Sequence, residues 1–249
     1  MLFGVALAAF LLPGALSSAG FLQVTTITVR GNEHVSPGEV LALLGPLRGQ
    51  NILMADLETY RQHLMASGWV KTATLRRVLP STIEVDVDER SAIGLARIGG
   101  RLYLIDAAGT VIDENGPRFS EGGLPIVDGL STGTDDAADE IRAQLISSLV
   151  TALEATPELS SRISQINVED PYNAVVLLSD GPTLIHLGRE QFAKRLREYL
   201  DLAPALRAHV ADIDYVDLRF DRRVFIRPAE PGAKSPLVVS SHARRVEFQ

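Results

Sequence analysis

Apolar residues follow several rhythms along this chain, and each rhythm predicts a different element. In VTTITVRG, Ile27 and Val29 alternate with Thr26, Thr28 and Arg30, the period of two that marks a half-buried strand. VSPGEVLALLGP follows. Ser36 suits an N-cap, Pro37 the first helical position, and Glu39 completes a capping box. Val35 and Val40 occupy hydrophobic-staple positions, and Gly45-Pro46 closes the helix. Asp56 caps a second helix, on which Leu57, Tyr60 and Leu64 recur at helical spacing until Gly68 ends it. WVKTATLRRVLP reads as a strand with Ala73 and Leu75 inward, and Pro80-Ser81 as a turn. In STIEVDVDER, Ile83, Val85 and Val87 face one way, and Glu84, Asp86 and Asp88 the other. From Val24 to Arg90 the order is thus β-α-α-β-β. Two helices must cover one face of a three-stranded sheet, because neither layer can bury its apolar side alone.

From Ser91 the texture changes to short strands punctuated by Gly99-Gly100, by Asp106-Ala107-Ala108-Gly109 and by Glu121-Gly122-Gly123, which read as hairpin turns. Asp135 and Asp136 can cap a long helix carrying Ile141, Leu145, Leu149 and Leu153. Ile163 to Val168, Ala174 to Leu178 and Thr183 to Leu187 read as strands, the last two joined through Asp180-Gly181. Arg189 to Leu202 reads as a helix with Phe192, Leu196, Tyr199 and Leu200 on one face. The expected fold is α+β, the second part being mostly antiparallel sheet with helices. Beyond Pro228, AEPGAKSP is Pro-, Gly- and Ser-rich and reads as a disordered tail over 229–249.

YVDLRFDRRVFIRP, Tyr215 to Pro228, alternates throughout. As one strand from Asp214 to Arg227 it would run ~46 Å, against a usual ~17–20 Å, so it must fold back. A two-residue turn at Asp221-Arg222 would place Phe220 opposite Arg223 and Val216 opposite Arg227. A three-residue loop, Asp221 to Arg223, instead pairs Phe220 with Val224 and Leu218 with Ile226. Asp217 then faces Arg227 and Arg219 faces Phe225. Only the second register keeps one face wholly apolar, and a one-residue slip inverts every side chain. The last strand, from Val224, is then an unpaired edge with Phe225 on its solvent face. Such an edge either docks an extended peptide by β-augmentation or is an ordinary edge blunted by arginines.

The N-terminal stretch carries no charge before Arg30. Leu2 to Leu16 would span ~22 Å as a helix, too short for a ~30 Å hydrocarbon core, whereas a run extended to Leu22 spans ~31 Å. Residues 1–22 therefore read as a transmembrane anchor, with a cleaved signal peptide ending near Ser17-Ser18-Ala19 as the competing reading. No basic residue precedes the run, as positive charge on the cytoplasmic side would require; a basic cytoplasmic tail upstream of a misplaced start would supply it. A buried core helix is disfavoured, since the run has no polar face.

Composition adds mainly exclusions. The net charge of −7 argues against nucleic-acid binding, which needs a basic face. With no cysteine, disulfides and thiolate metal sites are ruled out. His34, His63, His186, His209 and His242 are scattered without metal-ligand spacing and read as surface or loop histidines. Asp86 and Asp88 share a strand face that reads as solvated rather than as an acid/base pair. No phosphate-binding glycine loop and no nucleophile elbow occurs. Trp69 reads as a packing residue. Nothing points to an enzyme or to a cofactor.

The β-α-α-β-β block resembles a POTRA domain. ITVRGN (Ile27 to Asn32), SGWVKTATLRRVLPSTIEVDVDER (Ser67 to Arg90), YLIDAAGTVI (Tyr103 to Ile112), LPIVDG (Leu124 to Gly129) and DLRFDRRVFIR (Asp217 to Arg227) follow in an order and spacing that resembles the FtsQ/DivIB family of cell-division proteins. Departures are Leu79 where an aromatic is usual, Ala92 where proline is usual, and Arg222-Arg223 where the last turn commonly carries glycine. The resemblance implies a POTRA domain over 23–91 and a β-rich FtsQ-type domain over 92–228. It favours the anchor over the signal peptide. It also implies a single-pass protein of the inner membrane, mostly periplasmic, at the division septum.

The implied role is a non-catalytic divisome scaffold that binds FtsB- and FtsL-like bitopic coiled-coil proteins and helps recruit and regulate septal peptidoglycan synthesis. Other divisome proteins would meet the POTRA domain. Carried onto this sequence, the partner-binding residues are Arg219, Phe220, Arg222, Arg223, Val224, Phe225 and Ile226. The alternative is a POTRA-containing envelope chaperone or secretion component that binds client strands by β-augmentation. Such proteins carry repeated POTRA units or a long barrel, and the sequence has neither.

Overall fold

The computed structural model describes residues 20–116, 123–130, 137–210, 212–220 and 223–229. The apolar run up to residue 19, Glu121-Gly122, the Asp135-Asp136 cap, Arg222 and the tail after Ala229 lie outside them. The chain forms two compact units, one of residues up to Ala92 with Val111–Asp113, the other of Ile93–Thr110 with the residues from Glu114 onward.

In the first unit, β1 (Thr26–Arg30), α1 (Pro37–Leu44), α2 (Leu57–Met65), β2 (Val70–Val78) and β3 (Thr82–Glu89) follow in the expected β-α-α-β-β order. The sheet order is β1-β3-β2. β1 runs parallel to β3 from Thr26 opposite Thr82 to Arg30 opposite Asp86, and β2 is antiparallel to β3. Ser36 and Glu39 form the capping box reciprocally, and Asp56 accepts from the Glu58 and Thr59 amides. After α1 the chain turns tightly through Gly45–Leu47, with Gly45 in a right-handed conformation, so no left-handed glycine cap is used. Val40, Leu44, Leu57 and Leu64 from the helices are buried, as are Ala73, Ile83, Val85 and Val87 from the sheet.

Gly20–Leu22 is a single 3-10 turn, Leu22 is buried, and its carbonyl accepts from the Ile52 amide at 2.8 Å. No helix among the described residues is long and apolar enough to cross a membrane.

Trp69 is a packing residue. It is buried, stacks on His34 with centroids 4.2 Å apart, and donates through Nε1 to Asp113 at 3.2 Å. Beside it, the Glu89 carboxylate accepts the backbone N–H groups of Glu33, His34 and Val35 and meets His34 Nδ1 at 3.0 Å. Burial alone would push the Glu89 carboxyl up. The His34 and Val35 amides, the His34 ring and the Glu33 amide outweigh it and hold it below the usual range.

The second unit contains β4 (Gly94–Ile98), β5 (Arg101–Ile105), β6 (Val111–Glu114, whose first three residues group with the first unit), β7 (Ile126–Asp128) and α3 (Ala137–Glu154). They are followed by α4 (Pro157–Ser160), β8 (Ile163–Asn167), β9 (Ala174–Leu178), β10 (Leu184–Gly188), α5 (Phe192–His209), β11 (Ile213–Phe220) and β12 (Arg223–Pro228). The strands run β12-β11-β10-β9-β8-β7-β4-β5. The sheet is mixed rather than nearly all antiparallel: β4 with β7, β7 with β8, and β10 with β11 are parallel. Gly99 and Gly100, at φ +58° and +81°, close the β4–β5 hairpin between Ile98 and Arg101, as a primed two-residue turn requires.

Leu145, Ile146, Leu149 and Leu153 of α3 and Phe192, Leu196 and Tyr199 of α5 share one core with Val127, Ile166, Val176, Ile185 and Val216 of the sheet. The helix expected over Arg189 to Leu202 instead starts at Phe192 and runs to His209 through the exposed Pro204. Proline removes one helical N–H, but Ala203 is buried and Leu206 packs on the core. Packing therefore carries the helix past its local breaker.

Glu89→Ala is expected to lower the unfolding free energy by about 2 kcal/mol, since it removes a charged acceptor from three amides, one of them part-buried. Urea titration measures this. An unchanged midpoint would mean that water replaces the carboxylate.

Candidate functional site

The site expected from the sequence lies at the end of the sheet, where β12 is the outermost strand among the described residues. The edge is there, but the hairpin is built differently from the expected register. Val216 faces Ile226, Tyr215 faces Arg227 and Asp217 faces Phe225, whereas Phe220 faces Arg223. Between these pairs, Leu218 and Arg219 stand against the single residue Val224, which is a β-bulge. In sequence, only Asp221 and Arg222 lie between the two residues of that last pair. The expected pairings of Phe220 with Val224, Leu218 with Ile226, Asp217 with Arg227 and Arg219 with Phe225 do not form.

The reason is a local bond that cross-strand bookkeeping overlooks. Asp217 Oδ1 accepts the Arg219 backbone N–H at 3.0 Å, and both carboxylate oxygens accept from the Arg219 guanidinium, the closest contact being 2.6 Å. A side chain that binds the amide two residues on competes with the strand ladder, so the chain bulges where Asp217 takes hold of Arg219. Residues Val216, Asp217 and Leu218 are buried in succession. Arg227 pairs with Asp214 at 3.7 Å instead.

The bulge also moves Phe220. In a regular strand it would follow Val216 and Leu218 into the core. Here it is 52% exposed and meets Phe225, itself 47% exposed, edge to face at 5.1 Å. Arg219 Cζ lies 5.9 Å from the Phe220 ring centroid. Of the seven residues expected at the site, the structure brings together Arg219, Phe220, Arg223, Val224 and Phe225 as an exposed apolar and cationic strip. Ile226 is half-buried, and Arg222 lies outside the described residues. Lys194, Glu198 and Leu202 of α5 with Leu218, Phe220 and Val224 line a cleft of about 310 Å³ beside this strip.

Three supporting residues were missed. Arg195 of α5 is buried, and its guanidinium donates to the Leu187 carbonyl at 2.5 Å and the Arg219 carbonyl at 3.4 Å, on the bulge itself. Its spacing from Phe192 and Tyr199 places it on the inward face, which was the available signal. Gly188, at φ +75°, leaves room for it: a Cβ there would sit 3.0 Å from Arg195 Nη1 and 3.2 Å from Arg219 Cγ. Asn173 is buried and bridges the Gly188 amide and His186 Nδ1.

His186 corrects the surface-or-loop expectation. It lies within β10, half-buried, opposite Asp217 in the parallel register and edge to face with Tyr215 at 5.1 Å. Burial lowers its pKa, against the raising influence of the Asp217 charge. For Asp217, burial pushes upward, but the hydrogen bonds and charge of Arg219 win and hold the carboxyl low. Among the described residues, no cluster of His, Asp or Glu could hold a metal ion.

Residues 94–219 match the family described as cell division protein FtsQ/DivIB, C-terminal, and residues 22–90 match the POTRA domain, FtsQ-type. The chain belongs to the FtsQ/DivIB family of cell division proteins. It is similar to the cell division protein FtsQ of Koribacter versatilis, at 33% identity over 85% of this chain and 62% of that protein. It is also similar to FtsQ of Caulobacter vibrioides, at 32% identity over 86% of this chain and 67% of that one, and to FtsQ of Syntrophotalea carbinolica, at 25% identity over 85% and 76%. The chain thus spans less than two thirds of the first of these relatives. The FtsQ/DivIB C-terminal match ends at Arg219, on the bulge, so the exposed strip lies at and just beyond its boundary.

His186 sets a pH dependence. Its folded-state pKa lies below the unfolded value of ~6.5, so the folded form binds its proton less well. That contribution is complete above ~6.5 and is lost as pH falls from there through the folded value. Thermal melts of the wild type should lose stability between pH 7 and pH 5 more steeply than melts of His186→Gln. Parallel profiles would remove His186 as the cause.

Proposed function

We propose that this chain is a non-catalytic scaffold of the division machinery. It captures an extended segment of a short bitopic coiled-coil partner, of FtsB or FtsL type, by adding it as a strand to β12. In that role it sits in the inner membrane with its bulk in the periplasm, at the septum, and helps to recruit and regulate septal peptidoglycan synthesis. Its POTRA unit is the meeting place for other division proteins.

The observation that carries this reading is the character of the β12 edge. An unpaired outer strand offers main-chain donors and acceptors, and β-augmentation uses them for affinity while side chains supply specificity. Here the side chains are Phe225, Phe220 and Val224, large, apolar and exposed, set among Arg219, Arg223 and Arg227. Aromatic and arginine residues are the ones enriched at binding hot spots. The cleft beside the strip, with Lys194 and Glu198 on its wall, suits a partner that continues past the added strand. No specific observation favours the client-chaperone alternative.

Phe225→Asp is expected to weaken binding of the partner's extracytoplasmic segment by roughly thirtyfold, the loss of one hot-spot side chain, while circular dichroism and the urea midpoint stay at wild-type values. Calorimetry with purified partner segment measures this. Wild-type affinity in a folded Phe225→Asp protein would remove β12 from the interface.

A further inference from the structure

The first unit carries exposed apolar side chains at one end. Phe21 is 66% exposed, Leu53 46%, Met54 69% and Leu79 60%. They come from three segments that the backbone ties together. Gln23 bridges Asn51 antiparallel, and the Ile52 amide donates to the Leu22 carbonyl, so Phe21 and Leu53 fall opposite each other. The Arg77 guanidinium donates to the carbonyls of Ile52 and Ala55 at 2.7 and 2.6 Å. Asn51 accepts from the Leu53, Met54 and Ala55 amides through its side chain and carbonyl. Leu53 and Met54 are thus held outward on a loop whose amides, from Ile52 to Ala55, are all bonded. The turn that carries Leu79 is joined to the same end, since the Thr25 amide donates to the Ser81 carbonyl.

Lone exposed apolar residues need no explanation, but a group fixed outward by its own backbone bonds does. The charges around it are arranged for a surface rather than against one. Arg48 is exposed next to the Gly49 amide, which donates to the Val24 carbonyl. The Asp56 carboxylate is turned onto the Thr59 hydroxyl and the Thr59 and Glu58 amides at the start of α2, which hold its pKa below the usual value.

The chain itself names the occupant. An uncharged run, Leu2 to Ala19, leads directly into this end. Residues that immediately follow a membrane span lie at the interface. Phe21 is at most ~7 Å of chain from Ala19.

We infer that Phe21, Leu53, Met54 and Leu79 form a membrane-resting foot, which lies in the headgroup region of the bilayer and seats the first unit directly on it. The inference rests on the membrane-anchored part of the proposed function and adds a second, folded contact to the anchor.

The chain has no cysteine, so single labels can be placed without removing any. The full chain carrying Met54→Cys, labelled with the fluorophore NBD, is reconstituted into phosphatidylethanolamine–phosphatidylglycerol vesicles. Glu33→Cys, beyond the far end of β1, is the control. A group seated ~5–10 Å into the headgroup–acyl boundary should lose more than about half of its emission to a shallow doxyl-lipid quencher and resist aqueous iodide. The Glu33→Cys label should show the reverse. Iodide quenching of the Met54→Cys label in vesicle-retained chain overturns the foot while leaving the anchor intact. Protection from both quenchers also overturns it, by showing that protein covers the patch, either the apolar run folded back or a second copy. Release of the chain by alkaline carbonate shows instead that the anchor fails, and the foot with it.

Discussion

The carboxylate of Asp217 decides how the sheet of the second unit ends. It is buried, so it must be fully compensated, and it finds its partners two residues along its own strand, in the amide and guanidinium of Arg219. Taking that amide from the ladder forces the bulge. The bulge frees the Arg219 carbonyl, which the buried Arg195 of α5 reaches, and Gly188 is needed so that the two arginines can pass. Everything beyond the bulge is displaced by one residue, and that displacement puts Phe220 on the same side as Phe225. Bulges often re-aim a side chain next to a functional site. Here a core aromatic becomes a surface one.

The first unit solves a similar problem in a similar way. Glu89 ends β3 and gathers the amides of Glu33, His34 and Val35, just ahead of the Ser36 cap of α1. Both carboxylates sit where a strand stops being regular, and neither relies on an exposed ion pair alone: Glu89 binds three backbone N–H groups, and Asp217 binds the amide of Arg219 together with its guanidinium. The difference in strength is considerable. Hydrogen bonds to a charged group contribute ~1.5–3 kcal/mol each, whereas exposed ion pairs such as Arg227 with Asp214 contribute ~0–1 kcal/mol. Truncation of Asp217 or Glu89 is therefore costly, and truncation of Asp214 is not.

Features governed by residues close in sequence were legible without the structure. Ser36 with Glu39, Asp56, and Gly99-Gly100 each specify a cap or a turn through atoms a few residues apart, and all three formed as expected. The edge position of the last strand was also legible. The hairpin register is not, although its cause is equally local, because apolar alternation reports pairing across strands and Asp217-x-Arg219 acts along one. The parallel pairing of β10 with β11 and the passage of α5 through Pro204 depend on long-range packing around Val216, Ala203 and Leu206. No short window contains that information. His186 was misplaced for the same reason: its burial comes from Asp217 and Tyr215, about thirty residues away in the chain.

An exposed edge strand is normally a hazard, since any extended chain can add to it. β12 limits that hazard without closing the edge. Arg223 and Arg227 flank the aromatic pair, and Pro228 withholds a donor at the end of the strand. The twist that accompanies a bulge further disfavours flat stacking of two identical edges. A second copy of the chain would bring arginine against arginine, and like charges opposed across strands are destabilising. An added strand that supplies carboxylates at the arginine positions and apolar groups at the aromatic ones meets no such penalty. The same side chains that protect the edge from its own kind thus define the chemistry of the chain that can complete it.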